Sequence, residues 1–197
     1  MLSSIVRRYA QGLLNRVAAS LGRMGLTPNA LTLIGFLAMC AIGLVLAKGY
    51  FALGGLLIIA AGIFDALDGS LARLTNQVSK FGAFFDSTTD RFAEGALFLG
   101  LLYWFLENGM TFVAYLIYLS LLGSLMVSYA RARAEGIGVE CKEGLLTRFE
   151  RITLLVAGLV LSAWFGDLPI LAVLVILAIF TNITAIQRVW LVYRAAK

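Results

Sequence analysis

The sequence predicts an all-α integral membrane protein, with six transmembrane helices preceded by an N-terminal interfacial amphipathic helix, in a single domain over residues 1–197. Three observations carry this reading. Hydrophobic residues make up 61% of the chain and charged residues only 14%, against the roughly 25% charge of a soluble domain, and mean hydropathy reaches +0.92. Uncharged stretches recur at 29–47, 49–64, 95–106, 108–130, 152–166 and 168–187. Basic residues gather on alternate connections, which marks the cytoplasmic side of a membrane protein.

Residues 1–22 read as the amphipathic helix. Leu2, Ile5, Val6, Tyr9, Leu13, Leu14, Val17 and Leu21 fall at helical spacing on one face, with Arg7, Arg8, Gln11, Asn15 and Arg16 mostly elsewhere, a pattern suited to lying in an interface. These arginines interrupt the apolar run and no cleavage-type segment follows, so the stretch does not read as a signal peptide. Thr27-Pro28-Asn29 then breaks the chain, because proline suits the first helical position and disfavours helix in the residue before it. The six-helix core occupies 29–192. A span takes roughly 20 mostly apolar residues, so the second must run through Asp65 and Asp68 towards Arg73. The third must start near Lys80 and include Asp86, Asp90 and Glu94. Six spans put both termini on one side, together with every one of the 16 basic residues except Lys48, from Arg7 through Lys142 to Lys197. Both termini and the acidic ends of the second and third spans are therefore expected at the cytoplasmic face of the plasma membrane.

Histidine is absent, which removes imidazole as a base or metal ligand and excludes serine-histidine and cysteine-histidine catalysis. The two cysteines, Cys40 in the first span and Cys141 in the loop after the fourth, are too few for a thiolate metal site, and a disulfide is not expected in a cytoplasmic loop. No nucleic-acid partner is expected. The chemistry is left to carboxylates and arginines.

Four of those carboxylates lie where charge is costly. The run reads Asp65, two residues, Asp68-Gly69, two residues, Ala72-Arg73, eight residues, Gly82, three residues, Asp86, three residues, Asp90. Each aspartate pair shares a helix face at three- or four-residue spacing, and the 74–79 connection is short enough to make the two helices antiparallel neighbours. Carboxylates converging in this way repel and take up protons unless one or two Mg²⁺ or Mn²⁺ ions, which prefer oxygen ligands, neutralise them. Two ions ~4 Å apart clamp a diphosphate during displacement at phosphorus. Gly69 lets a phosphate or nucleotide approach the backbone, Arg73 offers a donor fork one turn on, and Gly82 allows close helix approach. A purely structural role does not account for the acids, since Arg73 and Arg91 cannot neutralise all of them and buried pairs stabilise poorly. A transporter would spread its acids along a path through the bilayer, whereas these lie near one end of two helices.

The spaced run resembles the signature of the CDP-alcohol phosphotransferases at every fixed position, and the resemblance covers nearly the whole chain. It implies that a CDP-linked lipid is bound and that an acceptor hydroxyl attacks the phosphorus next to the lipid, releasing CMP. By match to the motif, Asp65, Asp68 and Asp86 look like ligands of two divalent ions, and Asp90 looks like both a ligand and the base that takes the acceptor proton. Gly69 and Arg73 would meet the CDP moiety. The stretch from Thr27 to Thr32 resembles the start of a first span that helps hold the CDP-lipid, with Asn29 and Thr32 as polar contacts and Ser79 as a further one. The resemblance also implies a homodimer.

A second cluster bears on the acceptor. S-Y-A-R-A-R-A-E ends the fourth span and its loop, T-R-F-E-R opens the fifth, and Q-R-V-W ends the sixth. Arg131, Arg133, Arg148, Arg151 and Arg188 come from three helix ends that would have to converge on one cytoplasmic pocket, and guanidinium groups bind phosphate bidentately. The strings resemble the phosphatidylinositol phosphate synthases of bacteria and the corresponding archaeal enzymes, implying inositol 1-phosphate as acceptor and CDP-diacylglycerol or CDP-archaeol as donor. Two positions depart from that pattern: Phe149 stands where proline is usual, and Arg131 where lysine is common. Glycerol 3-phosphate is the alternative acceptor that satisfies the same phosphate argument. A membrane transporter or an inactive scaffold is the alternative of a different class.

Overall fold

The computed structural model describes residues 2–141 and 144–195. Met1, Lys142 and Lys197 lie outside the described residues, as do the side chains of residues 2–10 and of Leu13. Among the described residues every regular element is helical: α1 (Leu2–Arg23), α2 (Pro28–Ala47), α3 (Phe51–Leu74), α4 (Lys80–Glu107), α5 (Thr111–Gly136), α6 (Arg148–Phe165) and α7 (Leu168–Ala195). Four of them, α2, α3, α5 and α7, are long and apolar enough to cross a membrane, which marks a membrane protein. The other two core helices carry more charge: Asp86, Asp90, Arg91 and Glu94 lie in α4, and Arg148, Glu150 and Arg151 open the 18-residue α6.

The helices divide into two compact units. The first comprises residues 1–42 and 57–96, the second residues 43–56 and 97–197. In the first, Ala18 of α1, Leu31 of α2 and Leu67 and Leu71 of α3 form a buried cluster, with Leu14, Leu21, Leu26 and Phe64 packed against it. The face of α1 that packs on the other helices runs beside the apolar stripe expected to lie in the interface. Val17 is 41% exposed and Ala18 is buried, because the stripe that meets α2 and α3 runs through Leu14, Ala18 and Leu21, at i, i+4 and i+7. At Gly22 a side chain would stand 2.9 Å from Leu71 Cδ1, so the end of α1 lies tight on α3.

Helix boundaries in this unit follow from side-chain chemistry. Thr27 precedes Pro28 at the start of α2, and its hydroxyl accepts from the Ala30 N–H at 3.3 Å, a capping bond to an otherwise unpaired donor. After α3, Asn76 adopts a left-handed conformation (φ 55°), and the Gln77 N–H closes back on the Ala72 carbonyl at 2.9 Å, as in a helix-ending Schellman turn. Ser79 caps α4, its hydroxyl accepting from the Gly82 N–H at 2.9 Å. The acidic motif thus sits on two helices whose facing ends are both chemically fixed.

In the second unit α5 and α7 pack along each other and α6 packs on α7. Gly123 of α5 meets Thr181 and Asn182 so closely that a Cβ would overlap the Thr181 hydroxyl. The Asn182 side-chain amide spends both protons on carbonyls, of Leu119 at 2.9 Å and of Ala178 at 2.8 Å, a cross-helix bond suited to apolar surroundings. Gly100 is pressed against the Gly43 carbonyl in the same way. Helix α5 runs further than its uncharged stretch, taking in Arg131, Arg133 and Glu135. Alanine, arginine and glutamate favour helix, and Arg131 Nε pairs with Glu135 Oε1 one turn on at 2.8 Å. Thr147 and Glu150 form a reciprocal capping box at the start of α6.

Candidate active site

Helical spacing sets the acidic motif. Asp65 and Asp68 lie on α3, Asp86 and Asp90 on α4, all within the first unit. Asp68 is 8% exposed. Its Oδ2 accepts a hydrogen bond from the Thr32 hydroxyl at 2.7 Å, and the charges of Asp65 and Asp86 both bear on it. Asp65 is exposed and Asp86 half-buried. The Asp90 side chain is 9% exposed and pairs with Arg91, whose Nη1 stands 3.4 Å from Oδ2 while donating to the Ser87 carbonyl at 2.6 Å. Asp90 and Arg91 are sequence neighbours, so this pair is built within α4.

Among the described residues no group of three acidic or cysteine side chains is arranged to hold one ion, while the charges of Asp65 and Asp86 both reach Asp68. The donor types nevertheless fit a hard divalent cation. Carboxylate oxygens from two neighbouring helices are available, with Asp68 held in place by Thr32, and no thiolate or imidazole joins them to favour a softer metal.

Around the acids, the other residues singled out from the sequence take varied positions. Gly69 is half-buried, and a Cβ there would lie 3.5 Å from Arg73 Nη1, so the exposed Arg73 guanidinium folds back over the glycine. Arg73 Nη2 also reaches the Ser70 hydroxyl at 3.4 Å. A Cβ at Gly82 would lie 3.1 Å from the Ser79 hydroxyl and 3.4 Å from the Asn29 amide oxygen, so Asn29, Ser79 and Gly82 come together. Ser79, expected only as a polar ligand contact, spends a lone pair capping α4, and Thr32, expected to touch the CDP-lipid, orients Asp68. The sequence signal for the cap was present in Ser79 standing immediately before the start of α4 at Lys80; that for Thr32 was not, because it depends on α2 and α3 being neighbours. Glu94, one turn beyond Asp90, is 6% exposed and extends the acidic face of α4.

The arginines lie in the second unit. Arg151 and Arg188 are buried at 2% and 3% exposure, and the charges of Arg131 and Arg151 both bear on Arg188. Arg188 Nη1 donates to the Val127 carbonyl of α5 at 2.6 Å, and Arg151 Nη1 contacts the Leu146 carbonyl at 3.4 Å. Arg151 and Arg188 are thus buried with their charges bearing on one another, whereas Arg131 is 48% exposed and acts on Arg188 from the surface. Arg133 and Arg148 are exposed, and Arg133, two residues from Arg131, points from a different side of α5. Cys141 is buried beside Arg188 and Cys40 is half-buried, both as free thiols. A cavity of about 370 Å³ lined by Tyr50, Phe51, Ser162 and Asp167 includes none of these residues.

The model of the family described as CDP-alcohol phosphatidyltransferase matches residues 25–190. An archaetidylinositol phosphate synthase from Methanothermobacter thermautotrophicus is 36% identical over 197 residues, covering 98% of this chain and 93% of its own. The crystal structure of the Mycobacterium tuberculosis phosphatidylinositol phosphate synthase with CDP-DAG bound is similar at a TM-score of 0.87 and 31% identity, over 91% of this chain and 93% of that one. The same enzyme in complex with manganese and citrate gives a TM-score of 0.84 at 30% identity, over 91% of this chain and 88% of that one.

Proposed function

This chain belongs to the CDP-alcohol phosphatidyltransferase family, and from that premise we propose that it transfers a phosphatidyl or archaetidyl group from a CDP-lipid to inositol 1-phosphate, releasing CMP. The observation that carries the acceptor is the burial of Arg151 and Arg188, whose charges bear on one another, with the exposed Arg131 adding its charge from the surface. Guanidinium groups kept out of water match a dianionic phosphate far better than a neutral hydroxyl compound. Relatives named archaetidylinositol phosphate synthase and phosphatidylinositol phosphate synthase support the same choice.

Asp65, Asp68, Asp86 and Asp90 are assigned as ligands of Mg²⁺ or Mn²⁺, two ions in all, and a manganese complex of a similar enzyme supports a divalent metal. When bound, such ions neutralise the diphosphate and stabilise charge on the attacking and leaving oxygens. Thr32 holds the Asp68 carboxylate in one orientation. Asn29, Ser79, Gly69 and Arg73 contact the CDP moiety, with Arg73 close over Gly69 and able to swing its fork onto a phosphate. Asp90 accepts the proton of the inositol phosphate hydroxyl as the new oxygen–phosphorus bond forms and the bond to CMP breaks. The buried arginines hold the acceptor phosphate so that its hydroxyl is aligned, and Arg133 and Arg148 add positive field at the rim. Positioning and charge complementarity supply most of the acceleration.

In this reading residues 1–197 act as one domain, since the family match at 25–190 spans both compact units. Helices α2 to α7 are the six spans and α1 the interfacial helix, with both termini and the site on the cytoplasmic face of the plasma membrane and the chain paired as a homodimer. The test is CMP release from CDP-diacylglycerol and CDP-archaeol by the detergent-purified protein with Mg²⁺ or Mn²⁺, offering inositol 1-phosphate, glycerol 3-phosphate, inositol and serine separately. Release confined to inositol 1-phosphate is the expected result. Release with glycerol 3-phosphate alone would keep the reaction and replace the acceptor.

A further inference from the structure

The connection between α5 and α6 crosses α7 at Thr184, a fully buried residue one turn before Arg188. The Thr184 hydroxyl donates its proton to the Phe180 carbonyl at 2.7 Å and accepts the Leu146 N–H at 3.2 Å. On its other side the Leu146 carbonyl faces Arg151 Nη1 at 3.4 Å. The residue thus joins α7 to the guanidinium that α6 contributes. Two residues earlier, a Cβ at Gly144 would stand 2.6 Å from Thr184 Cγ2 and 3.5 Å from Arg188 Nε, so the absence of a side chain there lets the connection lie against both. None of the spacing arguments that identified the arginines involves Thr184 or Gly144.

We propose that Thr184 is a positioning residue for the acceptor-phosphate site. Its hydroxyl latches the α5–α6 connection at Leu146, and this latch, seated through Gly144, fixes the relative placement of Arg151 and Arg188. The inference rests on the acceptor reading given above. A planar guanidinium binds phosphate through paired, direction-dependent bonds, so a connection free to lift from α7 would spoil the pair without removing either charge. Valine keeps the shape of threonine but can neither accept from Leu146 nor donate to Phe180, whereas serine can do both.

The test is steady-state CMP release in detergent by the wild-type protein and the variants Thr184→Val, Thr184→Ser and Gly144→Ala, varying inositol 1-phosphate and CDP-diacylglycerol in turn, with amide hydrogen exchange followed across residues 144–147. Thr184→Val is expected to raise KM for inositol 1-phosphate about tenfold, the scale of one hydrogen bond. KM for CDP-diacylglycerol should stay within about twofold and Leu146 exchange should quicken. Serine should restore wild-type values, and Gly144→Ala should reproduce the acceptor-selective rise by crowding Thr184. If the valine protein does not fold, the alanine and serine proteins decide by the same criterion. An unchanged acceptor KM in Thr184→Val or Gly144→Ala overturns the latch, as does a rise of both KM values together. Absence of release by the wild-type protein with any phosphorylated acceptor overturns the acceptor reading and the role of Thr184 with it, a result distinguishable from an active wild-type enzyme that is indifferent to the substitutions.

Discussion

The acidic cluster of the first unit and the arginine cluster of the second are both polar groups set in apolar helices, yet they are held by different kinds of bond. Around the aspartates the ties are mostly local: Arg73 reaches Ser70 three residues away, Ser79 caps Gly82 three residues on, and Arg91 bonds the Ser87 carbonyl four residues back. Thr32 to Asp68 is a longer tie, spanning 36 positions. Around the arginines, local ties of Arg131 to Glu135 and Arg151 to Leu146 are joined by ones long in sequence: Arg188 to Val127 over 61 positions and Leu146 to Thr184 over 38. The reacting end of the substrate would therefore be served by a site whose spacing helical repeat supplies, once α2, α3 and α4 are neighbours. The end that selects the acceptor depends on how three helices and a connection come together.

The largest expected effect tests the local site. Asp90→Asn keeps shape and hydrogen-bonding capacity but removes the proton acceptor, and kcat for CMP release should fall about 10²–10⁴-fold with little change in KM for inositol 1-phosphate. Chelation with EDTA should abolish release, and added Mg²⁺ or Mn²⁺ should restore it to the wild-type protein. An Asp90→Asn protein with near wild-type kcat would take the base away from this position.

The same contrast explains what could be read from the sequence. Asp65, Asp68, Asp86 and Asp90 were legible because a pair three or four apart shares a face whatever the tertiary structure, and the ends of α3 and α4 fall where the need for span length placed them. Less was legible wherever contact between distant segments decides. The bond from Thr32 to Asp68 joins α2 to α3 and has no local signal, and neither has the burial of Ala18 against α3. The five arginines were treated as equivalent although Arg151 and Arg188 are buried and Arg133 is exposed.

Arg188→Lys is the sharpest test of the second cluster. Lysine keeps the charge but cannot serve the Val127 carbonyl and an acceptor phosphate with one planar fork. Charged hydrogen bonds contribute about 1.5–3 kcal/mol, so KM for inositol 1-phosphate should rise about 10–100-fold, with KM for CDP-diacylglycerol held. A matching rise in both would show that Arg188 braces the helices rather than choosing the acceptor. Thr32→Val should have a smaller effect of the opposite kind. Loss of the bond that orients Asp68 is expected to weaken Mg²⁺ dependence about tenfold, the low end for a group that orients a metal ligand. This is read as a shift in the metal concentration needed for half-maximal release, at unchanged acceptor KM.

The smallest effect belongs to Arg133, and it decides whether burial or mere charge makes the acceptor site. Arg133 lies two residues from Arg131 but on another side of α5, exposed to water, where an ionic interaction is screened by salt and contributes little. If buried guanidinium groups bind the phosphate, Arg133→Ala should raise KM for inositol 1-phosphate by no more than about twofold at 0.15 M salt, with a larger effect only at low ionic strength, where long-range attraction speeds encounter. Measuring KM at two salt concentrations separates these cases. A rise comparable to that of Arg188→Lys, and insensitive to salt, would place Arg133 in contact with the acceptor, and would mean that charge count rather than burial governs recognition at this end of the second unit.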